Sequence, residues 1–166
     1  TRIQAGALSP AVTSVSLADS LDQAARRAGR PGLLGSGAVS SIDDVIVQAD
    51  PLLLEQVFFN LFDNALTHAG PTVAICANAV VKGDLVRLTI TDDGPGVPGA
   101  DAGRIFDKFF QSDIVEGRRR GAGIGLAVAR GFVEAMGGRI GAGPRTDGKP
   151  GLQVEMTFRA GGAGHG

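Results

Sequence analysis

The stretch DPLLLEQVFFNLFDNALTHAGP, residues 50–71, decides how this chain is read. Asp50 is a good helix N-cap, because its short carboxylate can accept from backbone N–H groups of the first turn. Pro51 suits the first helical position, where its missing N–H costs nothing and its fixed φ is already helical. From there Leu54, Val57, Phe58, Leu61 and Ala65 recur at spacings of three and four, which makes one apolar face. The spacing predicts a helix over Pro51–His68, ended by Gly70-Pro71. Asn60 and Asn64 are four apart and share another face, with Gln56, Asp63 and Thr67 on or near it. Such a helix can pack on a sheet and still offer amide oxygens to a cleft.

The flanks are read outward from this helix. On its N-terminal side, SLADSLDQAARRAG (16–29) predicts a helix capped by Ser16 and stopped by Gly29 and Pro31. A short β-like run covers Val45–Gln48. On its C-terminal side, Thr72–Val81 and Leu85–Thr91 read as strands joined by a hairpin turn at Lys82-Gly83-Asp84. Residues 93–123 are loop-rich, with a short helical piece near Ala102–Phe109. Gly125–Met136 predicts a second strong helix, stopped by Gly137-Gly138. Arg139–Ala142 and Leu152–Phe158 are strands around a Gly/Pro turn. Strands and helices mix without regular βαβ alternation, so the expected fold is α+β: a two-layer sandwich with one mixed sheet and helices on one face.

Composition sets bounds. The 166 residues suit one domain, and 43% hydrophobic with 20% charged residues describes an ordinary globular protein. A formal net charge of -1 gives no general reason to expect nucleic-acid binding. No run of about 18 apolar residues is present, so nothing here reads as a membrane span. One cysteine, Cys76, excludes an internal disulfide framework and a multi-cysteine metal site. In its β-like run it is expected as a small buried core residue. Residues 1–10, TRIQAGALSP, read as the end of a preceding helix and a connector. The body of the domain is expected over 11–160, and the tail GGAGHG, 161–166, is expected to be disordered. Because it opens on Thr1, the chain reads as a fragment.

Three stretches carry chemistry. The amide oxygens of Asn60 and Asn64 suit a hard cation such as Mg²⁺ once phosphates complete the shell; alone, the same pattern is more often a solvated polar face. In DDGPGVP (92–98), Asp92 can accept a hydrogen bond from the exocyclic amine of a base. Gly94 and Gly96 let the backbone turn sharply and come close to a ligand; alone, this is a plain turn. In GAGIGLAVARGFVEAMGG (121–138), glycines run straight into a helix, whose unpaired N–H groups and positive dipole end suit phosphate. This is not the dinucleotide fingerprint, because no parallel βαβ unit precedes it. Nor is it a Walker A loop, because no Lys-Ser/Thr pair follows the glycines.

Taken in order, with IFDKFF (105–110) between the last two, these stretches resemble the N, G1, F and G2 boxes of the ATPase domain of sensor histidine kinases. That family shares the Bergerat ATP-binding fold with gyrase, the Hsp90 chaperones and MutL. The boxes span residues 50–138 and the flanks also fit, so the resemblance covers the whole chain. DPLLLEQVFFNLFDNAL and ARGFVEAMGG look most like the potassium-responsive Kdp-type sensor kinases. That likeness implies the cytoplasmic part of a homodimeric, membrane-associated sensor of the inner membrane.

The resemblance implies ATP and Mg²⁺ as cofactors and assigns roles by position. Asn64 would ligate Mg²⁺, and Asn60 would support the metal and phosphates, the two together carrying catalysis. Asp92 would hold the adenine amino group, with Gly94 and Gly96 allowing the loop to approach the base. Gly121, Gly123 and Gly125 would place backbone N–H groups near the phosphates, with Leu126 following in the nucleotide site. Residues from Gln111 to Gly121 would form a lid. Phe106 and Phe109 would anchor that lid or touch the neighbouring helical domain, or else be ordinary core aromatics. Two positions depart from the family: Thr67-His68 stands where many relatives carry Lys-Tyr, and Gln111 where many carry Arg. Lys108 or Arg118, Arg119 and Arg120 would then supply the lost cations, unless the arginines are a solvated lid stretch.

The implied activity is transfer of the γ-phosphoryl group of ATP to a histidine on a separate dimerisation domain before residue 1. TRIQAGAL would be the last turn of that domain, a response regulator would be the downstream partner, and no nucleic acid is involved. Relatives that hydrolyse ATP use a glutamate four positions before the metal-binding Asn. Here that position is Asn60, an amide that cannot act as a base, so efficient hydrolysis is not expected. Neither His68 nor His165 is followed by the acidic residue of a phosphoacceptor box, so this fragment is not expected to autophosphorylate. Two other readings share the boxes: a serine kinase of the anti-sigma type, and a degenerate ATP sensor without transfer.

Overall fold

A computed structural model of the chain describes residues 9–35, 41–97, 99–102, 104–107 and 125–161. In chain order the elements are β1 (Thr13–Ser16), α1 (Leu17–Arg27), β2 (Ile46–Ala49), α2 (Pro51–Ala69), β3 (Ile75–Lys82) and β4 (Leu85–Asp92). Then come α3 (Gly99–Ala102), α4 (Gly125–Ala135), β5 (Arg139–Pro144) and β6 (Leu152–Ala160).

Both long N-terminal helices start where their capping residues say they should. Asp50 Oδ1 accepts from Leu52 N at 3.0 Å and Leu53 N at 3.3 Å. Its Oδ2 accepts from Ala11 N at 2.8 Å, so the cap also ties down the segment before β1. Ser16 Oγ accepts from Asp19 N at 3.2 Å and starts α1. Gly70 ends α2 with φ 102, a conformation side chains resist.

β4 and β6 form the centre of the sheet, paired from Leu85↔Arg159 to Thr91↔Gln153. β3 flanks β4, β5 lies along the other side of β6, and β2 pairs with the end of β6 before passing the sheet to β1. The sheet expected as mixed carries five described ladders, all antiparallel. The Lys82↔Leu85 pair leaves Gly83-Asp84 as the hairpin turn, with Gly83 at φ 60.

The period-two alternation of the strands sends one set of side chains to the helices. Ile75, Ala77 and Ala79, then Val86, Leu88 and Ile90, then Val154, Met156 and Phe158 are buried in one core. Against them pack Leu54, Val57, Phe58, Leu61, Phe62 and Ala65 of α2, Ala129 and Val133 of α4, and Leu17, Leu21 and Ala24 of α1. Phe58 and Phe62 are fully buried and the largest of these side chains, each contributing about 1.5–3 kcal/mol by burial. Arg27 of α1 stacks its guanidinium 4.3 Å from the Phe59 ring centroid, closing the α1–α2 seam from outside.

Several expectations need correction. Cys76 is exposed, not core: with Ile75 and Ala77 facing the helices, the residue between them must face solvent. The short helix near the F box is Gly99–Ala102, ahead of the expected Ala102–Phe109. Arg104–Asp107 instead continue as turns, with Arg104 N donating to Asp101 O and Asp107 N to Arg104 O, both at 2.9 Å. The strand expected from Thr72 starts at Ile75. β1 was not expected, because TSVS carries only one strongly apolar residue and owes its conformation to pairing with β2. Gly161, placed in the expected tail, donates its N–H to Ile46 O at 2.7 Å and extends the β2–β6 pairing. Residues 1–8 and 162–166 lie outside the described residues. Among the described residues no helix is long and apolar enough to cross a membrane.

Candidate nucleotide site

The end of β4 delivers Asp92 to the rim of the core, beside α2 and the start of α4. Asp92 Oδ1 accepts two backbone donors, Gly94 N at 2.9 Å and Leu152 N at 3.2 Å. Among the described residues Oδ2 accepts none, so one carboxylate oxygen is fixed by the fold and the other remains for a ligand donor. Its neighbour Asp93 turns the other way. Asp93 Oδ1 accepts from Ala74 N at 2.8 Å and Asp93 N donates to Ala74 O at 3.2 Å, which closes the open end of the β3–β4 pair. Of the two adjacent aspartates, only Asp92 lines the cleft.

That cleft opens between α2, β3, β4, β6 and α4. Asn64 and Asp92 are its polar groups; Leu61, Phe62, Ala65, Ile75, Ile90, Ile105, Leu126, Leu152 and Val154 form the rest. Apolar walls with two convergent polar groups suit a flat heteroaromatic ring that is oriented by hydrogen bonds at its edge. Asn64 is half-buried and, among the described residues, its amide makes no hydrogen bond. Among the described residues no group of three or more His, Cys, Asp or Glu side chains could hold a metal ion. A cation here would therefore depend on an amide oxygen and on oxygens that the ligand brings, which fits a hard ion such as Mg²⁺.

Asn60 is one helical turn from Asn64 but is used differently. Its Nδ2 donates to Gly125 O at 2.8 Å and its Oδ1 accepts from Gln56 Nε2 at 2.8 Å. Both ends of the amide are engaged by the protein, and Asn60 is not a lining residue of the cleft. Gly125 lies in α4, so this contact ties α2 to α4, and Leu126 beside it lines the cleft.

The two loop glycines make room for neighbouring parts of the protein itself. A Cβ on Gly94 would lie 2.3 Å from Ala69 Cβ at the end of α2. Gly96 has φ 75, and a Cβ there would lie 2.9 Å from Gly151 O. Phe106 is buried in the core beside Ile105, which makes it a core aromatic. Gly121, Gly123, Lys108, Phe109, Gln111, Arg118, Arg119 and Arg120 lie outside the described residues.

Sequence reasoning passed over one part of the site. The β5–β6 turn, seen only as a Gly/Pro break, folds back onto Asp92. Arg145 Nη1 donates to Asp92 O at 3.0 Å, and a Cβ on Gly151 would lie 1.9 Å from that same oxygen. The hydrogen bond to Asp147 raises Arg145 above the ordinary guanidinium value. The Arg145 hydrogen bond, then that from Lys149 N, hold the Asp147 carboxyl below the usual carboxylate range.

Residues 49–161 match the family described as histidine kinase-, DNA gyrase B-, and HSP90-like ATPase. The chain is 36% identical over 146 residues to the sensor protein KdpD of Mycobacterium tuberculosis; the match covers 85% of this chain and 17% of that protein's length. Among solved structures, the mycobacterial sensor histidine kinase MprB superposes with a TM-score of 0.69 at 21% identity, covering 90% of this chain and 99% of that one. Full-length ShkA, solved in complex with AMPPNP, superposes with a TM-score of 0.71 at 26% identity, covering 96% of this chain and 33% of that one.

Proposed function

The chain belongs to the histidine kinase-, DNA gyrase B-, and HSP90-like ATPase family, as an ATP-binding catalytic domain of the sensor histidine kinase type, and we propose that it binds Mg-ATP in the Asn64–Asp92 cleft and donates the γ-phosphoryl group to a histidine outside the chain. The observation that carries this reading is the convergence of Asn64, Asp92 and Leu126, from three separate sequence motifs, on one cleft. The adenine ring would lie between the apolar walls with its amino group toward Asp92. Mg²⁺ would be held by Asn64 together with phosphate and water oxygens, and when bound it supplies charge neutralisation at the phosphates.

In the transfer, the bond from the γ-phosphorus to the oxygen of ADP breaks and a bond from phosphorus to an imidazole nitrogen forms, with ADP leaving. The protein's part is to position and to neutralise charge, with no base needed from α2. Asn60 cannot activate water, so phosphoryl loss to solvent is slow. The acceptor would sit on a helical dimerisation domain ahead of a domain body at 11–160, and a response regulator would receive the phosphoryl group afterwards. The likeness to KdpD supports a Kdp-type homodimeric sensor, with this domain on the cytoplasmic side of the inner membrane.

Labelled ATP tests the proposal. The chain alone should bind ATP and form no phosphohistidine; with its upstream histidine-bearing domain added, label should appear on histidine. Label on serine of an acceptor would favour the anti-sigma type of kinase. ATP binding with no transfer to the full partner would favour a nucleotide sensor.

A further inference from the structure

The turn between β5 and β6 grips Asp92 from behind. Arg145 Nε donates to Asp147 Oδ1 at 3.1 Å and Nη2 to Asp147 Oδ2 at 2.6 Å, so a carboxylate fork fixes the plane of the guanidinium. Nη1 is left to donate to the carbonyl oxygen of Asp92 at 3.0 Å. The Arg145 side chain is only 16% exposed, whereas Asp147 is 46% exposed, and Lys149 N donates to Asp147 Oδ1 at 3.0 Å to hold the acid in turn. Gly151 brings the returning strand against Asp92 O, and Leu152 N then reaches Asp92 Oδ1 at 3.2 Å. Asp92 is thus held at its main-chain oxygen by Arg145 and at one carboxylate oxygen by Leu152.

We infer that Arg145, locked by Asp147, is a positioning residue that aims Oδ2 of Asp92, which accepts no hydrogen bond among the described residues, and so sets the preference of the cleft for a purine bearing an exocyclic amine. This rests on the reading of Asp92 as the adenine acceptor. With the carbonyl and Oδ1 both fixed, the carboxylate cannot turn about its own backbone, and Oδ2 keeps one direction. A fixed acceptor rewards a ligand amine and penalises a ligand that lacks it, because its desolvated oxygen is then left unpaired. A carboxylate released from Arg145 could swing out to water and would discriminate less. An arginine that served stability alone would instead change the affinity for all nucleotides together.

The experiment measures displacement of a fluorescent ATP analogue by ATP and by purine riboside triphosphate, which lacks the amino group, with thermal melting of each variant alongside. The wild type should prefer ATP. In Arg145→Ala the preference should fall by about tenfold, through weaker ATP binding, while affinity for purine riboside triphosphate stays within about twofold. Arg145→Lys should recover part of the preference, because an ammonium reaches the carbonyl without the fork. Asp147→Asn should move it in the same direction as Arg145→Ala, by less. A folded Arg145→Ala with the wild-type preference overturns the inference. If Arg145→Ala does not fold, Asp147→Asn decides: a reduced preference supports the inference and an unchanged one overturns it. Asp92→Asn separates the two levels. An unchanged preference there overturns the adenine reading along with this inference, whereas a lost preference there beside an unchanged one in Arg145→Ala overturns the role of Arg145 alone.

Discussion

Asn60 donates from Nδ2 to the carbonyl oxygen of Gly125 at 2.8 Å, joining the middle of α2 to α4. The amide cannot be reversed, because its oxygen accepts from Gln56 Nε2 at 2.8 Å. Asn60→Asp would set a carboxylate oxygen against the Gly125 carbonyl. The expected outcome is a loss of about 1–3 kcal/mol of stability and weaker ATP binding, because α4 is no longer tied to α2 beside the cleft. Chemical denaturation and nucleotide titration check it; wild-type values in both would show that the link is dispensable.

Asp92→Asn should reduce ATP affinity by about tenfold or more. Oδ1 already accepts from Gly94 N and Leu152 N, so an asparagine must place its oxygen there and turn its NH₂ toward the ligand. Two donors then face each other across the adenine amine. A fluorescent-ATP titration with and without Mg²⁺ reads this directly, and the absence of Trp leaves a quiet background. Unchanged affinity would remove adenine recognition from Asp92.

Gly151→Ala should be far worse than Gly29→Ala. Its φ of 135 strains any side chain, and its Cβ would stand 1.9 Å from Asp92 O, a backbone atom that cannot step aside. About 2–4 kcal/mol of stability should be lost, together with ATP affinity. Gly29→Ala meets nothing within 4 Å and carries only the cost of φ 81, so about 1 kcal/mol is expected. Comparable denaturation midpoints for the two variants would contradict the close packing of the β5–β6 turn.

The Arg145–Asp147 pair also predicts a pH dependence. The Asp147 carboxyl is held below the usual carboxylate range in the folded chain. Its contribution to stability is therefore present above the unfolded-state value and is lost as pH falls through the lower folded value. Melting temperatures of wild type and Asp147→Asn should differ near pH 7 and converge toward about pH 2. A gap that stays constant over that range would assign the difference to something other than this charge.

Phe58→Ala should cost about 3–5 kcal/mol, because its ring is fully buried between α2 and the sheet. Leu52→Ala, in the first turn of α2 and 78% exposed, should cost less than about 0.5 kcal/mol. Urea midpoints compare the two; similar losses would mean that the apolar face of α2 is assigned to the wrong side.

Local patterns in the sequence determined much of this protein. Asp50-Pro51 and the three-and-four spacing from Leu54 to Ala65 specified α2 and its buried face. The alternation on either side of Gly83-Asp84 specified the β3–β4 hairpin, and the order of the Asn, Asp-Gly and Gly-rich motifs pointed to a nucleotide. The helix and the hairpin are statements about neighbours within a turn of helix or a step of strand, where residue type and backbone geometry are directly linked. Tertiary structure decided the rest. Which side of β3 faces water settled Cys76, pairing alone made a strand of Thr13–Ser16, and packing engaged Asn60 with Gly125. The grip of Arg145 and Gly151 on Asp92 joins segments 53 and 59 residues apart, and no local periodicity reports a contact made only when β6 closes beside β4.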